Sequence, residues 1–270
     1  VSTTTHLPSP GETLRAIAYA EHAGGKGLNQ AVACARMGAR TAFIGCVGND
    51  SAGIMLRDLL SSEGIDTSQL VTVDAPTGRA FITVDASGEN TIVIVAGANA
   101  HVGQTAITVP SSKVLLAQLE IPLDVVTRVF AKAQGAIRVL NPAPAAVIPS
   151  ELLSLCDYAV PNETESEAMG GTKYLLGSGV NTVITTLGER GAEISDATST
   201  SAVTPYPVNA IDTVGAGDAF VGALCTELAR GETIEHAART ASIAGALATT
   251  VHGAMPSLPT RAAVMSLYAD

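Results

Sequence analysis

The 270-residue sequence contains no tryptophan, and aromatic residues account for only 3% of it. Since 47% of the residues are apolar but so few are aromatic, aliphatic side chains and alanine must build the core. No apolar run approaches the roughly 20 residues that a membrane-spanning helix needs. This composition, rich in valine, isoleucine, alanine and glycine, is typical of a parallel sheet covered by helices on both faces.

Basic residues are also few, with 15 lysines and arginines against 25 acidic residues and a net charge of −10. An acidic surface argues against nucleic acid or an anionic membrane as a partner. The amino-terminal stretch VSTTTHLPSP lacks the basic and apolar regions of a signal peptide. The cysteines are far apart and form no CxxC pair, which favours a reduced, cytoplasmic protein over a zinc site or disulfide framework. They are Cys34, Cys46, Cys156 and Cys225.

Apolar runs that suit strands alternate with amphipathic helical segments along the chain. Predicted helices are LNQAVACARMG (28–38), SAGIMLRDLLSSEG (51–64), LDVVTRVFAKAQG (123–135) and AFVGALCTELARG (219–231). Predicted strands lie in TAFIGCVG (41–48), SKVLLAQLE (112–120), AIRVLNPAP (136–144), LLSLCDYAV (152–160) and NTVITTLGERG (181–191). This alternation predicts one α/β domain over residues 1–270, with a doubly wound, mainly parallel central sheet flanked by helices.

A hairpin interrupts this alternation. RAFITVDASGENTIVIV (79–95) has two β-rich runs on either side of the turn-forming cluster ASGEN. We expect strands from about 1–24 and 76–98 to form a small β-sheet lid at one edge of the main domain.

Polar segments follow the predicted strands. They are GGKGLN (24–29), LNPAP (140–144), PNETE (161–165), TLGERG (186–191) and DTVGAGD (212–218). Because the carboxyl ends of parallel strands meet at one edge of the sheet, these segments predict a single site there. Their Gly, Asn, Thr, Asp and Lys residues suit a ligand that carries hydroxyl and phosphate groups.

DTVGAGDAF (212–220) leads directly into a predicted helix. The N–H groups of Gly215, Ala216 and Gly217 can face an anion at the helix start and stabilise a transferring phosphoryl group. Asp218 can accept the proton of an attacking hydroxyl. A helix cap is the simpler explanation, but it accounts for one aspartate and not for the glycines between two of them.

Two other segments have weaker signals. AGGKGLNQA lacks the Walker pattern, because Gly27 follows Lys26, and alone it would be an ordinary glycine turn. Beside Asn29, however, its glycines would let a ligand touch the backbone while both side chains donate hydrogen bonds. In NETE, Asn162 and Glu165 could hold water around Mg²⁺, or the segment could be a polar loop.

Together these motifs resemble those of the ribokinase-like carbohydrate kinases. GGKGLNQAVACARMGA (24–39) is similar to the family's amino-terminal signature, and DTVGAGDAFVGAL (212–224) to its carboxy-terminal one. AGAN (96–99), LLAQLE (115–120), LNPAP, PNETE and HGAMPS (252–257) occur in the expected order. The resemblance therefore covers nearly the whole chain.

The resemblance implies transfer of the γ-phosphoryl group of ATP to the 5-hydroxyl of D-ribose. Asp218 would be the general base, beside an anion hole formed by Gly215, Ala216 and Gly217. The implied sugar-binding residues are Gly25, Lys26, Asn29, Glu120 and Asp218. The implied ATP-binding residues are Asn162, Thr186, Gly188, Gly217 and Ser242.

The resemblance also implies two metal ions and a dimer. Glu165 would organise Mg²⁺ through water, and a monovalent cation, usually K⁺, would lie under the anion hole. The implied ligands of that cation are Asp212, Val214, Ala248, Val251, Gly253 and Ser257. The lid would close on the sugar and pair two subunits into a homodimer. Alternatives are a sibling kinase for deoxyribose, fructose or a nucleoside, and a sugar-binding sensor without catalysis.

Two parts of the family's pattern are missing. Family members open with a strand that ends in an Asn-x-Asp motif, and this sequence begins just after the place for that motif. The segment between Gly171 and Val180 is shorter than the helix expected there. We expect both to be residues missing from this sequence rather than from the protein; true deletions would remove the central strand and a sugar-binding carboxylate.

Overall fold

The computed structural model describes residues 1–268. Its strands, in chain order, are β1 (Ser2–Thr3), β2 (Ala18–Tyr19), β3 (Ala42–Gly48), β4 (Asp66–Val73), β5 (Arg79–Val84), β6 (Asn90–Val95), β7 (Val114–Ala117), β8 (Ile137–Leu140), β9 (Tyr158–Ala159), β10 (Thr182–Thr186), β11 (Ala192–Ser195) and β12 (Thr200–Val203). Its α-helices are α1 (Lys26–Arg36), α2 (Ser51–Ser62), α3 (Leu123–Lys132), α4 (Ser150–Leu155), α5 (Glu163–Ala168), α6 (Thr172–Gly177), α7 (Ala216–Arg230), α8 (Ile234–Ala248), α9 (Ala254–Ser257) and α10 (Arg261–Tyr268). Short 3₁₀ turns span Gly97–His101 and Gly188–Arg190.

The largest sheet has the strand order β12-β11-β10-β9-β8-β7. β7, β8, β9 and β10 run parallel, and β11 and β12 extend the sheet as antiparallel strands. β3 and β4 form a separate parallel pair. The predicted α/β fold with a mainly parallel sheet is confirmed.

Successive residues of the central strands point to opposite faces, as the pleat requires. Val139 and Ile184 join the core under α7 and α8, whereas Leu140 and Val183 join the core under α3 and α4. Both cores are almost wholly aliphatic, and Phe130 is the largest side chain with essentially no solvent exposure. Helices therefore cover both faces of the sheet.

The lid is a four-stranded sheet in the order β2-β1-β5-β6. β5 and β6 form the predicted hairpin, in register from Arg79 opposite Val95 to Val84 opposite Asn90. Within the ASGEN turn, the Asp85 carboxylate accepts the N–H of Ser87 at 2.8 Å. All four strands lie within the 1–24 and 76–98 segments.

A cleft of about 2520 Å³ separates the two parts of the main sheet. Residues of β3, from Ala42 to Val47, line it together with residues of β7, from Val114 to Ala117. Within residues 1–268, β3 pairs only with β4 and β7 only with β8, so each leaves one edge unpaired. The central sheet is thus divided at this cleft.

Two segments differ from the sequence predictions or clarify them. LLSLCDYAV was predicted to be a strand, but its first half is helix α4, which buries Leu152 and Leu153, and only Tyr158–Ala159 pairs as β9. Between Gly171 and Val180 the chain forms the short helix α6, with Leu175 fully buried. Within residues 1–268, every helix is too short or too polar to cross a membrane.

Candidate active site

Helices α1 and α7 start side by side and bring the two glycine-rich motifs together. They can approach closely because Gly222 has no side chain: an added Cβ would lie 2.4 Å from the Cβ of Ala33. One helical turn before this contact, Asn29 on α1 faces Asp218 on α7. The packing of two helices thus joins residues 189 positions apart.

The carboxylate of Asp218 is held at both oxygens. Asn29 Nδ2 donates to Oδ2 at 2.8 Å, and Gln30 Nε2 donates to Oδ1 at 2.9 Å. Burial raises the pKa of Asp218, while the two amide donors and the charge of Lys26 oppose this rise. On balance the pKa of Asp218 is raised, so this carboxyl group has a higher affinity for a proton than an exposed aspartate.

Glu120 and the start of α1 form the other wall of the site. The backbone N–H of Lys26 donates to Glu120 Oε2 at 2.9 Å. Burial raises the pKa of Glu120, and the nearby charge of Asp218 adds to this effect, whereas Lys26 opposes it. Gly25, which precedes the helix at φ 100°, lies next to the Glu120 carboxylate.

Asn29 has capacity left for a ligand. Its Oδ1 is buried and has no hydrogen-bond partner among residues 1–268. Asn29, Gly25 and Glu120 line the large cleft, and Asp218 lies directly behind the Asn29 amide. A hydroxyl group in the cleft would satisfy this acceptor once a side-chain shift opens Oδ1 to the cleft.

The turn before α7 requires glycine at one position. Gly215 has φ 85°, and an added Cβ would lie 2.8 Å from the carbonyl oxygen of Ala254. The N–H of Ala216 donates to Thr213 O at 3.3 Å, but those of Gly215 and Gly217 have no acceptor within residues 1–268. Two of the three predicted amides are therefore unpaired at the positive end of a 15-residue helix.

Three of the five predicted nucleotide-binding residues lie along the same sheet edge, whereas Gly217 is in the first turn of α7. Asn162 follows β9, Thr186 ends β10, the two form an isolated β-bridge, and the turn at Gly188 follows Thr186. Ser242 is instead buried on α8, where its hydroxyl donates to Thr204 O at 3.3 Å.

Asn162 and Glu165 form a capping box at the start of α5. Asn162 Oδ1 accepts the N–H of Glu165 at 2.7 Å, and Glu165 Oε2 accepts the N–H of Asn162 at 2.9 Å. The spacing that suggested a magnesium site therefore also has a structural role at the helix start. The other carboxylate oxygen of Glu165 takes no part in this box.

The residues predicted to surround a monovalent cation come from two adjoining segments. Asp212 accepts the N–H of Val214 at 2.9 Å and that of Gly253 at 2.8 Å. Burial raises the pKa of Asp212, but these N–H groups and His252 outweigh it and leave the pKa below its usual value. The turn continues to Ser257, whose hydroxyl donates to Ala254 O at 2.7 Å.

The sequence prediction missed a buried amide network behind Asp218. Gln30, which has no solvent exposure, also donates to Asn141 Oδ1 at 2.8 Å and accepts a hydrogen bond from Gln118. All three belong to motifs that were recognised, GGKGLNQ, LLAQLE and LNPAP. A glutamine within the apolar helical run LNQAVACA was the available signal.

Comparison with known proteins shows the family of the chain. The model of the pfkB family of carbohydrate kinases matches residues 2–261. Ribokinase of Haemophilus influenzae is 41% identical over 95% of this chain and 90% of its own length. The crystal structure of Thermotoga maritima ribokinase, 35% identical, has a TM-score of 0.94 over 100% of this chain and 95% of its own. The structure of Arabidopsis thaliana ribokinase complexed with ribose and ATP, 29% identical, has a TM-score of 0.89 over 98% and 94%.

Proposed function

The chain belongs to the pfkB family of carbohydrate kinases, and we propose that it transfers the γ-phosphoryl group of ATP to the 5-hydroxyl of D-ribose. One observation carries the proposal: the Asp218 carboxylate lies beside the amides that open α7 and have no partner within residues 1–268, next to a cleft lined by Gly25, Asn29 and Glu120. Ribokinases that match 95% and 98% of this chain support ribose as the acceptor.

In this reaction Asp218 accepts the proton of the attacking hydroxyl as its oxygen bonds the γ-phosphorus, while the bond from that phosphorus to the bridging oxygen of ADP breaks and ADP leaves. The N–H groups of Gly215 and Gly217, together with the α7 dipole, stabilise the negative charge on the transferring group. Lys26, Asn29 and Glu120 orient the sugar, and a shift of the Asn29 side chain would let its buried Oδ1 accept one of the sugar hydroxyls. The lid excludes water, which would otherwise compete as the acceptor.

ATP would lie along the sheet edge past the anion hole. Asn162 and Thr186 are bridged there, Gly188 follows Thr186, and Gly217 would face the phosphates from the start of α7. Ser242 would contact the adenine of ATP from α8. It would do so through its backbone, or through its hydroxyl once the hydrogen bond to Thr204 O is broken.

Two metal ions fit the residues present. The carboxylate oxygen of Glu165 outside the capping box is a donor of the type that Mg²⁺ binds through water, and Mg²⁺ would neutralise phosphate charge. A K⁺ ion suits the segments that flank Asp212, an ionised carboxylate among backbone carbonyls. Its other ligands would be Val214, Ala248, Val251, Gly253 and Ser257.

The lid also supports a homodimer. Its hairpin exposes apolar side chains on both faces: Phe81 and Val93 on one, Ile92 and Ile94 on the other. Exposed apolar surface of this kind marks an interaction site. The lid of a second copy would cover it, because a two-fold dimer uses the same patch on both subunits. The unpaired, buried cysteines are typical of a reduced compartment and support a cytoplasmic location.

A panel of acceptors tests the function. D-ribose, deoxyribose, fructose and adenosine are compared by coupled detection of ADP, and ribose should give the highest kcat/KM. A better nucleoside or hexose would replace ribose with that acceptor. Calorimetry that showed ribose binding without any ADP release would favour a sugar sensor instead.

A further inference from the structure

We infer that Gln30 is a positioning residue for the reaction: its buried amide holds the Asp218 carboxylate in the orientation that a general base needs. This inference rests on the proposed function of Asp218. Gln30 lies on α1, has no solvent exposure, and donates to Asp218 Oδ1 at 2.9 Å. A residue this deep cannot touch the sugar or ATP, so it acts through Asp218.

The hydrogen-bond network fixes which way the Gln30 amide points. Asn141 Nδ2 donates to the carbonyl oxygen of Val160 at 2.7 Å, and that oxygen can only accept. Asn141 Oδ1 therefore faces Gln30 and must receive its Nε2 at 2.8 Å. Gln30 Oε1 then points the other way and accepts from Gln118. The orientation of Gln30 is thus set by a backbone carbonyl and not chosen freely.

In this orientation Gln30 presents only a donor to Asp218. One N–H of Nε2 goes to Asn141 and the other to Asp218, so Gln30 bonds an unprotonated Oδ1 and cannot accept a proton from it. With Asn29 on Oδ2, both oxygens have an N–H partner, and each keeps a second lone pair for the substrate proton. Gln30 thereby fixes the plane of the carboxylate and stabilises its ionised form.

The same contacts link four elements at one point. Gln30 on α1 joins Asp218 on α7 to Asn141 and Gln118, which follow β8 and β7. A purely structural role would explain these bonds equally well and predicts only a loss of stability. The two roles differ in their effect on the protonation of Asp218, because only a positioning role changes its pKa. Lys26 and Glu120 are the other charged groups that act on Asp218.

The test is Gln30→Met, which keeps the length of the side chain but removes the donor. We expect kcat to fall about tenfold, with little change in the KM for ATP. We also expect the acid limb of log(kcat/KM) against pH to move up by about one unit, because the ionised base loses a hydrogen bond. An acid limb that coincides with that of the wild type would overturn the inference.

Thr226→Val is the matched structural control. Thr226 is buried on α7 and donates to Gly222 O at 2.9 Å, so the variant also loses a buried hydrogen bond. It keeps the Asn29 and Gln30 amides that donate to Asp218. It should lower the Tm without moving the acid limb. A shift of equal size in both variants would assign the effect to general loosening and reject a specific role for Gln30.

Gln30→Glu covers the case in which Gln30→Met does not fold. This variant keeps the shape of the side chain and places a second carboxyl against Asp218, so the pair titrates together with one strongly raised pKa. The acid limb should again move to higher pH; an unmoved limb contradicts the inference.

A readout without turnover separates this inference from the proposed function. Titration of the Asp218 carboxyl carbon by NMR in the free protein should give a higher pKa in Gln30→Met than in the wild type. If the wild type phosphorylates no sugar, the proposed function fails while this measurement still decides the role of Gln30. Equal pKa values of Asp218 in the wild type and in Gln30→Met would refute the positioning role of Gln30.

Discussion

Asp218 is held by two amide donors, one on each carboxylate oxygen, in a site whose burial favours protonation. In Asp218→Asn the side chain keeps its shape but offers only one oxygen to these two donors and cannot accept the substrate proton. We expect kcat to fall by ~10²–10⁴, with a much smaller change in the KM for the sugar. Steady-state kinetics with ribose measure both, and unchanged turnover would remove Asp218 from the mechanism.

For single residues, the sequence predicted which side chains belong to the candidate site better than it predicted their hydrogen bonds. The motifs identified Asp218, Asn29 and Glu120, but only the fold shows that Asn29 bonds the base as well as facing the cleft. Gln30 gave one local signal, a polar residue inside the apolar run LNQAVACA, but that signal does not show which groups its amide contacts. Such contacts depend on how α1 meets α7, which composition and spacing do not encode.

Among the elements, the start of α7 depends on a single backbone conformation. Gly215→Ala forces a Cβ into the left-handed region and against the Ala254 carbonyl. The left-handed conformation alone costs about 1–2 kcal/mol, so we expect the Tm to fall by roughly 2–8 °C, with a loss of activity. Gly217→Ala is the matched control for stability, because its Cβ would meet nothing within 4 Å. Thermal unfolding compares the two, and equal Tm values would show that the turn tolerates a side chain.

The segments around Asp212 and Gly253 give a second prediction at the level of elements. If backbone carbonyls there hold K⁺ beneath the amides of α7, replacing K⁺ with Na⁺ at constant ionic strength should lower kcat. The smaller ion would draw the carbonyls inward and shift the Gly215 turn, which contacts Ala254. Identical rates in the two salts would argue against a selective site.

For the whole molecule, the lid should control assembly. The double variant Phe81→Ser/Ile94→Ser removes an exposed apolar side chain from each face of the hairpin, where 58% and 57% of these side chains are exposed. We expect light scattering to show a dimer for the wild type and a monomer for this variant. Val147→Ser, at a 94% exposed valine outside the lid, should remain dimeric. A wild type that is monomeric at micromolar concentration would contradict the lid interface.

The overall architecture was largely predictable, because strand and helix periodicity is local and repeats along the chain. The hairpin, the helices that start at Lys26 and Ala216, and the parallel strands all follow from such patterns. The helix at Ser150–Leu155 was missed, since a short apolar run of four to six residues suits either a strand or a buried helix turn. The cleft between β3 and β7 depends on pairing across the whole sheet, which no local pattern specifies.

That cleft supports one more prediction, about what the open sheet can bind. Within residues 1–268, β3 and β7 each leave an unpaired edge on it, and the apolar side chains of Phe43, Leu115 and Leu116 line it. Two facing edges of parallel sheets supply donors and acceptors on both sides of an extended segment, so one further strand would satisfy both. The apolar lining favours an apolar strand, and the pattern to test ends in Asn-x-Asp like the opening strand of family members.

A synthetic peptide of that pattern, added in trans, should therefore bind and raise the Tm in a dose-dependent way. At 100 times its Kd the ligand contributes about 2.7 kcal/mol, which corresponds to a rise of roughly 5–10 °C for a domain of this size. A peptide of equal length with proline at alternate positions is the control, because proline lacks the N–H that both edges require. If the two peptides shift the Tm equally, or neither does, the cleft does not accept a strand. If only the peptide without proline raises the Tm, and the turnover of ribose rises with it, we infer that the side chain of its final aspartate reaches the sugar beside Glu120 and Asp218.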